Sequence, residues 1–246
     1  EISLGLVGSE MCIRDRCSRR KADEWIQAGR VYVNGVTAQM GMQVSDEDEV
    51  VVNGQRICRQ QKFELIAFYK PKGYACTAYR GDQSNIFHNF NLDPHLKYIG
   101  RLDKDSEGLL LLTNDGDLCN EIAKARNQHE KEYVVTVNRS LTDDFLKGMA
   151  NGVRINDSNK DQWVVTRPCK VQKKNDKTFS IVLTQGLNRQ IRKMCDHYGY
   201  KVVKLRRIRV MNILLEGMKP GEIRTVSEAE FTQLQKRIKN GKFQTE

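Results

Sequence analysis

Residues 100–117 hold the densest cluster of reactive side chains in the chain, in the order Gly-Arg-Leu-Asp-Lys-Asp-Ser-Glu-Gly-Leu-Leu-Leu-Leu-Thr-Asn-Asp-Gly-Asp. A carboxylate such as that of Asp103 can act as a nucleophile or stabilise positive charge that develops during a reaction. An ionised carboxylate in a closed pocket requires a nearby cation to offset its desolvation. The residue types alone leave two interpretations open, a charged loop before a strand and a functional site.

A calcium-binding loop is a third interpretation of this segment. Positions 1, 3, 5 and 6 of the EF-hand pattern are filled by Asp103, Asp105, Glu107 and Gly108. The twelfth position is Asn114, however, where the pattern requires a bidentate Glu. The strand-like residues Tyr98 and Ile99 also argue against an entering helix. The sequence therefore disfavours a calcium site and predicts no metal ligand set.

The motif G-R-L-D-x-D-S-x-G-L-L-L-L-T-N-D-G over residues 100–116 resembles the catalytic motif of the RsuA/RluB/RluE/RluF family of pseudouridine synthases. Further segments match this family in the same order, namely Lys-Pro-Lys-Gly at 70–73, Glu-Lys-Glu-Tyr at 130–133, Gln-Gly-Leu-Asn-Arg-Gln-Ile-Arg-Lys-Met at 185–194, Leu-Arg-Arg-Ile-Arg at 205–209 and Gly-Glu-Ile-Arg-Thr-Val at 221–226. The resemblance covers about residues 17–238, and several of the segments are most like the RluF members.

The resemblance implies that the chain converts a specific uridine of 23S ribosomal RNA to pseudouridine. That isomerisation breaks the N1–C1′ bond, turns the uracil and rejoins it through C5, so it requires neither a cofactor nor a metal. The target base must leave its stack to be reached, which is easiest in loops and bulges. A non-catalytic RNA-binding or ribosome assembly factor that has kept the fold is the alternative.

The resemblance also assigns roles to individual residues. Asp103 is the catalytic carboxylate, Arg192 forms an ion pair with it, and Tyr133 lies against the uracil and assists proton transfer at C5. Whether Asp103 attacks C1′, attacks C6 or removes a proton is left open by the sequence. The substrate-binding residues are predicted to be Arg101, Leu205, Asn188 and Arg189.

The elements that must position these residues are visible as hydrophobic patterns. Apolar or β-branched runs at 65–69, 109–112, 133–137 and 179–183 predict strands. Thr142 is expected to cap one helix, and Ser227 and Glu230 form a capping box for the last one. A further helix is predicted from the helical spacing of Leu187, Ile191, Met194, Cys195 and Tyr198, with Gly199 as its stop. The fold implied by the resemblance is α+β, with a mixed, mainly antiparallel sheet.

Residues 17–56 form a separate small pattern. Ser18 is expected to cap a helix that ends at Gly29, and the runs at 31–35 and 50–54 are strands that enter Asn-Gly turns. This segment resembles the S4 RNA-binding domain, which implies RNA contacts by Arg19, Arg20 and Lys21. Residues 1–16 are interpreted as a non-native segment that replaces an expected helix, so the S4-like domain is truncated. Residues 57–63 are a linker, and residues 64–240 are the catalytic domain.

The composition favours a polyanionic partner. The formal net charge is +10 and the isoelectric point about 9.3, and each phosphate that a protein neutralises releases condensed counterions. Seven cysteines without a C-x-x-C pair predict reduced thiols and a cytoplasmic location, and no apolar run is long enough for a membrane span. We expect a monomer. A cationic rim for RNA is predicted at Lys201, Lys204, Arg206, Arg207 and Arg209, of which Lys204, Arg206 and Arg207 are the main RNA-binding candidates.

Overall fold

The computed structural model describes residues 19–242, apart from 46–47, 58–62, 78, 80, 124–127 and 158–160. The segment 1–16, the predicted helix cap at Ser18 and most of the predicted linker lie outside the described residues. The chain forms two compact units, Glu1–Phe63 and Glu64–Glu246. None of the helices in the described ranges is both long and apolar enough to cross a membrane.

The first unit combines a helix with a small antiparallel sheet. Its described elements are α1 (Arg19–Gln27), β1 (Val31–Val33), β2 (Val36–Thr37), β3 (Val50–Val52) and β4 (Gln55–Ile57). The strands pair in the order β2-β1-β3-β4. Ala22 and Ile26 lie one turn apart on α1 and pack against Val31, Val33 and Val50 of the sheet. This spacing gives the helix one apolar face.

Both hairpins of this sheet close with the predicted Asn-Gly turns. Asn34 and Gly35 have φ of 48° and 80°, and Asn53 and Gly54 have φ of 52° and 75°. Two successive residues with positive φ define the type I′ turn, whose twist matches that of the flanking strands. The strand and turn predictions for this segment are therefore confirmed.

The second unit is built on a large mixed sheet. Its described elements are β5 (Leu65–Lys70), α2 (Ile86–Asn89), β6 (Lys97–Ile99), β7 (Glu107–Thr113), α3 (Gly116–Ala123), β8 (Lys131–Val137), α4 (Asp143–Asn151), β9 (Arg154–Asp157), β10 (Gln162–Val165), β11 (Lys170–Asn175), β12 (Thr178–Leu183), α5 (Gln190–His197), β13 (Val202–Val210), β14 (Ile213–Leu214), β15 (Ile223–Thr225) and α6 (Glu228–Lys242). Nine strands form the main sheet in the order β11-β12-β8-β13-β7-β5-β15, with β14 beside β13 and β6 beside β7.

The pairing in this sheet is antiparallel except between β7 and β13, which run parallel. Strands β9 and β10 form a separate two-stranded hairpin. The prediction of an α+β fold with a mixed, mainly antiparallel sheet is therefore confirmed.

Strands β5 and β7 are covered on both faces. Phe68 pairs with Leu110 and packs into one core, whereas Ala67 pairs with Leu111 and packs into the core on the other face. All four residues are fully buried. A strand that is covered on both faces has a continuous apolar sequence, which explains the run Leu-Leu-Leu-Leu at 109–112.

The helices begin where their capping residues predict. The Thr142 hydroxyl accepts a hydrogen bond from the Phe145 amide at the start of α4. At the start of α6, the Glu230 amide donates to the Ser227 hydroxyl, and the Ser227 amide donates to the Glu230 carboxylate. This reciprocal pair is the predicted capping box. Helix α3 was not predicted, because Asp115 and Gly116 at its beginning are residue types that favour turns.

Gly108 permits the parallel contact between β7 and β13. It pairs with Arg207, and its φ is 113°. A Cβ atom at this position would overlap the backbone oxygen and nitrogen of Arg207. Only glycine therefore allows the strand that follows the reactive loop to approach β13 this closely.

Candidate active site

One cleft of the second unit gathers most of the predicted site residues. It is lined by the loop 100–106, strands β8 and β13, the turn after β12 and the start of α5. The predicted residues among its lining are Arg101, Asp103, Tyr133, Arg189, Arg192 and Leu205. Asn188, which was predicted to bind the substrate, is half-buried and is not among the lining residues.

Backbone hydrogen bonds fix the loop that carries Asp103. The Gly73 amide donates to the Lys104 carbonyl over 2.8 Å, and the Ser106 amide donates to the Asp103 carbonyl over 3.0 Å. The loop begins at Gly100, whose φ is 68°. The Asp103 side chain itself stays 34% exposed at the cleft. The main chain is thus held in place while the carboxylate remains accessible to a substrate.

Lys70 supports the same loop from beneath. Its side chain is fully buried, and its ammonium donates to the Ser106 carbonyl over 2.7 Å and to the Pro71 carbonyl over 2.9 Å. Burial lowers the pKa of Lys70 to about 8, although attraction to Cys76 and Asp103 opposes that shift. The Lys-Pro-Lys-Gly segment therefore places a buried cation under the loop that carries Asp103.

Arg207 is a second buried cation on this side of the sheet. It is 1% exposed, and its Nε and Nη2 atoms donate to the carbonyls of Leu109 at 2.7 Å and Gly100 at 3.2 Å. The prediction that Arg207 binds RNA is wrong, because its side chain points into the protein. Nearby Lys131 is also buried, and burial together with the Arg207 charge lowers its pKa to about 8.

The predicted ion pair between Arg192 and Asp103 is not found. Among the described residues, the ion pair to Asp103 is made by Arg189, with 3.7 Å between Nη1 and Oδ2. Arg192 instead donates from Nη2 to the carbonyl of Asp105 at 3.1 Å and to the hydroxyl of Ser106 at 3.4 Å. Arg192 therefore lines the cleft as predicted, but it binds the loop rather than the carboxylate.

The backbone of Arg189 explains how its side chain reaches Asp103. Arg189 precedes α5 with φ of 51° and ψ of 34°, in the left-handed region. Residues other than glycine rarely adopt this conformation, and such strain concentrates at functional sites. The amide of Leu187 is held by the side chain of Gln190 at 3.1 Å, which orders the same turn.

Tyr133 and Leu205 supply the apolar surface of the cleft. Tyr133 lies in the middle of β8, paired with Ile181 on one side and Arg207 on the other. Leu205 pairs with the next inward residue, Val135, and is 6% exposed. Successive inward positions on adjacent strands lie close together. The two side chains suit the binding of a flat, partly apolar group such as a base.

The other predicted RNA-binding residues are dispersed. Arg206 and Lys204 lie on the opposite side of β13 from Arg207, where Lys204 forms an exposed ion pair with Glu107 at 3.0 Å. Arg209 is bound by Glu130 and Glu132, so it is not a free rim residue. In the first unit, Lys21 is exposed beside Glu24, and the side chains of Arg19 and Arg20 lie outside what the structure describes.

Acidic residues around the loop do not assemble into a metal site. Glu107, the fifth position of the calcium pattern, binds Lys204 and accepts a hydrogen bond from the Tyr69 hydroxyl. Within the described ranges, no group of three or more His, Cys, Asp or Glu side chains is arranged to hold a metal ion. The fifth position of the calcium pattern is therefore already engaged by an ammonium and a hydroxyl.

Comparison with known proteins assigns this fold and cleft to one class, the pseudouridine synthases, which modify RNA. A solved structure described as a crystal structure of pseudouridylate synthase superposes with a TM-score of 0.67 at 26% sequence identity. The match covers 94% of this chain and 100% of that chain.

Sequence comparison leads to the same class. The family model for RNA pseudouridylate synthase matches residues 64–197, and the S4 domain model matches residues 16–50. The dual-specificity RNA pseudouridine synthase RluF of Escherichia coli O6:H1 is 48% identical over 226 residues, covering 91% of this chain and 76% of that protein. The ribosomal large subunit pseudouridine synthase B of Bacillus subtilis is 32% identical, covering 92% of this chain and 93% of that protein. The chain therefore belongs to the RNA pseudouridylate synthase family, in its RsuA/RluB/RluE/RluF branch, and is an isomerase that acts on RNA.

Two residues of this site were missed or misjudged from the sequence. Lys70 was noted only as part of a motif, and Arg207 was placed on the surface. For Lys70, the available signal was a lysine directly after the apolar run 65–69, since a charge that continues a buried strand must find partners inside. For Arg207, the signal was its place two residues after Leu205 on the same strand face.

Proposed function

We propose that the chain converts a specific uridine in 23S ribosomal RNA to pseudouridine, with Asp103 as the reacting carboxylate. The observation that carries this proposal is the position of Asp103, whose half-exposed carboxylate shares one cleft with Tyr133, Leu205 and Arg189. The ribosomal substrate is supported by the name of the Bacillus subtilis relative, which acts on the large ribosomal subunit.

The reaction is an internal rearrangement of the nucleotide. The N1–C1′ bond breaks, a C5–C1′ bond forms, the proton leaves C5, and N1 gains a proton, so atoms and electrons balance without an external reactant. Asp103 reacts with the nucleoside, and Tyr133 and Leu205 hold the uracil while it turns. Arg189 offsets the charge of the carboxylate. Arg192 and Lys70 hold the loop in place through hydrogen bonds to its backbone carbonyls. Positioning of this kind accounts for a large part of many enzymatic rate enhancements.

RNA binding outside the cleft is expected to depend on charge. Arg101 is exposed at the mouth of the cleft, and Lys201 and Lys204 are exposed on the segment that leads into and along β13. Each phosphate contact contributes to the slope of affinity against salt concentration. Affinity for the substrate RNA should therefore fall steeply as salt is raised, and a flat response would contradict this part of the proposal.

The proposal is tested by chemical mapping of pseudouridine in bacterial 23S ribosomal RNA transcripts incubated with the purified chain. We expect a single modified position with the wild-type chain and none with Asp103→Asn. Transfer RNA is tested in parallel, because the name of the Escherichia coli relative speaks of dual specificity. Failure of the wild-type chain to modify any of these RNAs would contradict the enzymatic proposal and favour an RNA-binding or assembly role.

We further propose that the chain acts as a monomer in the cytoplasm, where ribosomal RNA is assembled. The basic charge of +10 supports an RNA partner rather than self-association. Sedimentation at increasing protein concentration tests this directly. A stable dimer at concentrations at which the chain is active would contradict it.

A further inference from the structure

The hairpin of β9 and β10 carries apolar residues on both of its faces. On the inner face, Ile155 is 2% exposed and packs into the core together with its partner Val164. On the outer face, Trp163 is 62% exposed and Val165 is 68% exposed. An antiparallel pair of strands with one solvent-exposed face normally has polar residues on that face. Trp163 and Val165 are successive outer positions of one strand, so they form a small exposed apolar patch.

The guanidinium of Arg154 lies over the exposed indole ring of Trp163. The guanidinium carbon of Arg154 lies 5.3 Å from the centre of the Trp163 ring. Arg154 pairs directly with Val165, and the fourth outer residue is Asn156, opposite Trp163. The outer face thus presents an aromatic ring and a positive charge, with no acidic side chain among these four positions.

The hairpin is closed at its base by hydrogen bonds of its own ladder and is tied to α5 by a lysine. At its base, Val153 and Thr166 exchange hydrogen bonds of 2.9 Å, since the Val153 amide donates to the Thr166 hydroxyl and the Thr166 amide donates to the Val153 carbonyl. Lys193, which follows Arg192 on α5, donates to the Asn156 carbonyl over 2.7 Å. The residue paired with Trp163 is therefore hydrogen-bonded to α5, the helix whose Arg192 also binds the loop of Asp103.

A basic edge strand follows the hairpin in sequence. Strand β11 lies at one edge of the main sheet, and Lys170, Lys173 and Lys174 on it are exposed. Lysines on an edge strand also prevent strand addition by another chain. They add to the basic charge of this unit, whereas Arg154 is the cation that lies over the Trp163 ring.

We propose that the outer face of the β9–β10 hairpin is a second RNA-binding surface, on which Trp163 stacks with an unpaired nucleotide outside the catalytic cleft while Arg154 contacts the adjacent phosphate. This inference rests on the proposed function, because it concerns the same RNA substrate. Every base has a π-face, so stacking on a tryptophan binds single-stranded nucleotides with little dependence on sequence. The surface would select a target whose uridine lies near a loop or bulge.

Fluorescence provides a direct test, because the chain has two tryptophans, Trp25 and Trp163. In a Trp25→Phe variant of the full chain, the emission reports on Trp163 alone. We expect addition of a 23S-derived stem-loop with unpaired nucleotides to quench this emission, and heparin, a polyanion without bases, to leave it nearly unchanged. Equal quenching by heparin, or no quenching at RNA concentrations that saturate binding, would overturn the proposal.

Substitution provides the second test. Trp163→Ala is expected to raise the dissociation constant and the KM for the stem-loop by about 5- to 100-fold, without lowering kcat, and Trp163→Phe is expected to retain most of the affinity. Ile223→Ala is the matched control, since Ile223 is 41% exposed on the opposite edge strand β15. Arg154→Gln should reduce the slope of log affinity against log salt by about one.

The outcomes separate this proposal from the proposed function. If the wild-type chain forms pseudouridine but Trp163→Ala binds RNA with unchanged affinity and KM, the surface is not an RNA site and the enzymatic proposal stands. If Trp163→Ala instead abolishes self-association seen by sedimentation while RNA affinity is unchanged, the hairpin is a protein interface and the RNA proposal is overturned.

Discussion

The guanidinium of Arg192 donates to the backbone carbonyl of Asp105 at 3.1 Å, two residues beyond the carboxylate that it was expected to pair with. The ion pair to Asp103 comes from Arg189, which lies at 3.7 Å and is 44% exposed. The two arginines thus have different roles. Arg192 fixes the loop, and Arg189 faces the carboxylate of Asp103. This division leads to different expectations for their substitution.

Arg192→Ala is expected to lower kcat by about 100-fold, since a displacement of about 1 Å at a reacting group has a cost of this size. Arg189→Ala is the matched comparison, and its effect should stay within about 5-fold, because exposed ion pairs contribute about 1 kcal/mol or less. Single-turnover rates of pseudouridine formation measure both. A loss for Arg189→Ala as large as that for Arg192→Ala would contradict the assignment.

The reactive loop illustrates how much the sequence predicts and where it stops. The family resemblance predicted that residues 103, 133, 192 and 205 share one cleft, and the structure brings all four to it. The partner of Arg192 could not be predicted, because a guanidinium can donate to a backbone carbonyl or a hydroxyl as well as to a carboxylate. The choice depends on a left-handed turn at Arg189 that a sequence pattern does not reveal.

The prediction for strand β13 was wrong for a different reason. It placed Arg206 and Arg207 together on a cationic rim, but adjacent residues of a strand face opposite sides. Arg207 lies two residues after Leu205, on the face that packs into the protein, and it is buried. Leu205 was placed correctly in the cleft.

The charge of Lys70 predicts a pH dependence. Its pKa is lowered to about 8 by burial, so the ammonium under the loop loses its proton as the pH rises through about 8. We expect kcat/KM to fall on this alkaline side. Lys70→Arg, which keeps its charge, should move the decline to higher pH, whereas Lys72→Arg, at an exposed lysine of the same segment, should not. An alkaline limb that is identical in the wild type and in a folded Lys70→Arg variant would contradict this role.

Gly108→Ala is expected to destabilise the second unit by more than about 2 kcal/mol, because the new Cβ would overlap the Arg207 backbone and φ is 113°. Gly186→Ala serves as the control, since a Cβ there would meet no atom within 4 Å. Urea unfolding measures the difference. Equal stability of the two variants would show that β7 and β13 do not need the close approach.

The carboxylate of Glu230 at the start of α6 predicts that the protein loses stability in acid. Arg224 foremost, together with the Ser227 amide, holds the pKa of Glu230 at about 2, below its ordinary value of 4.5. A lowered pKa stabilises the folded state above pH 4.5, and that contribution disappears as the pH falls towards 2. Because the group is partly solvated, Glu230→Gln should lower the free energy of unfolding by only about 1 kcal/mol at pH 7.

The difference between the wild type and Glu230→Gln should shrink between pH 4.5 and pH 2. Glu228→Gln removes an exposed carboxylate from the same helical turn and should have little effect at any of these pH values. Thermal unfolding followed by circular dichroism at several pH values provides the comparison. A difference that stays constant with pH would mean that Glu230 does not contribute through its charge.

The most direct measurement is the single-turnover rate of pseudouridine formation in a 23S-derived stem-loop by Asp103→Asn, compared with Asp105→Asn. Both substitutions remove one carboxylate from the same loop, and only Asp103 lines the cleft. We predict that Asp103→Asn forms no detectable pseudouridine while binding the RNA normally, and that Asp105→Asn stays within about 10-fold of the wild type, since its carboxylate is exposed outside the cleft. Residual turnover by Asp103→Asn at a rate like that of Asp105→Asn would contradict the account.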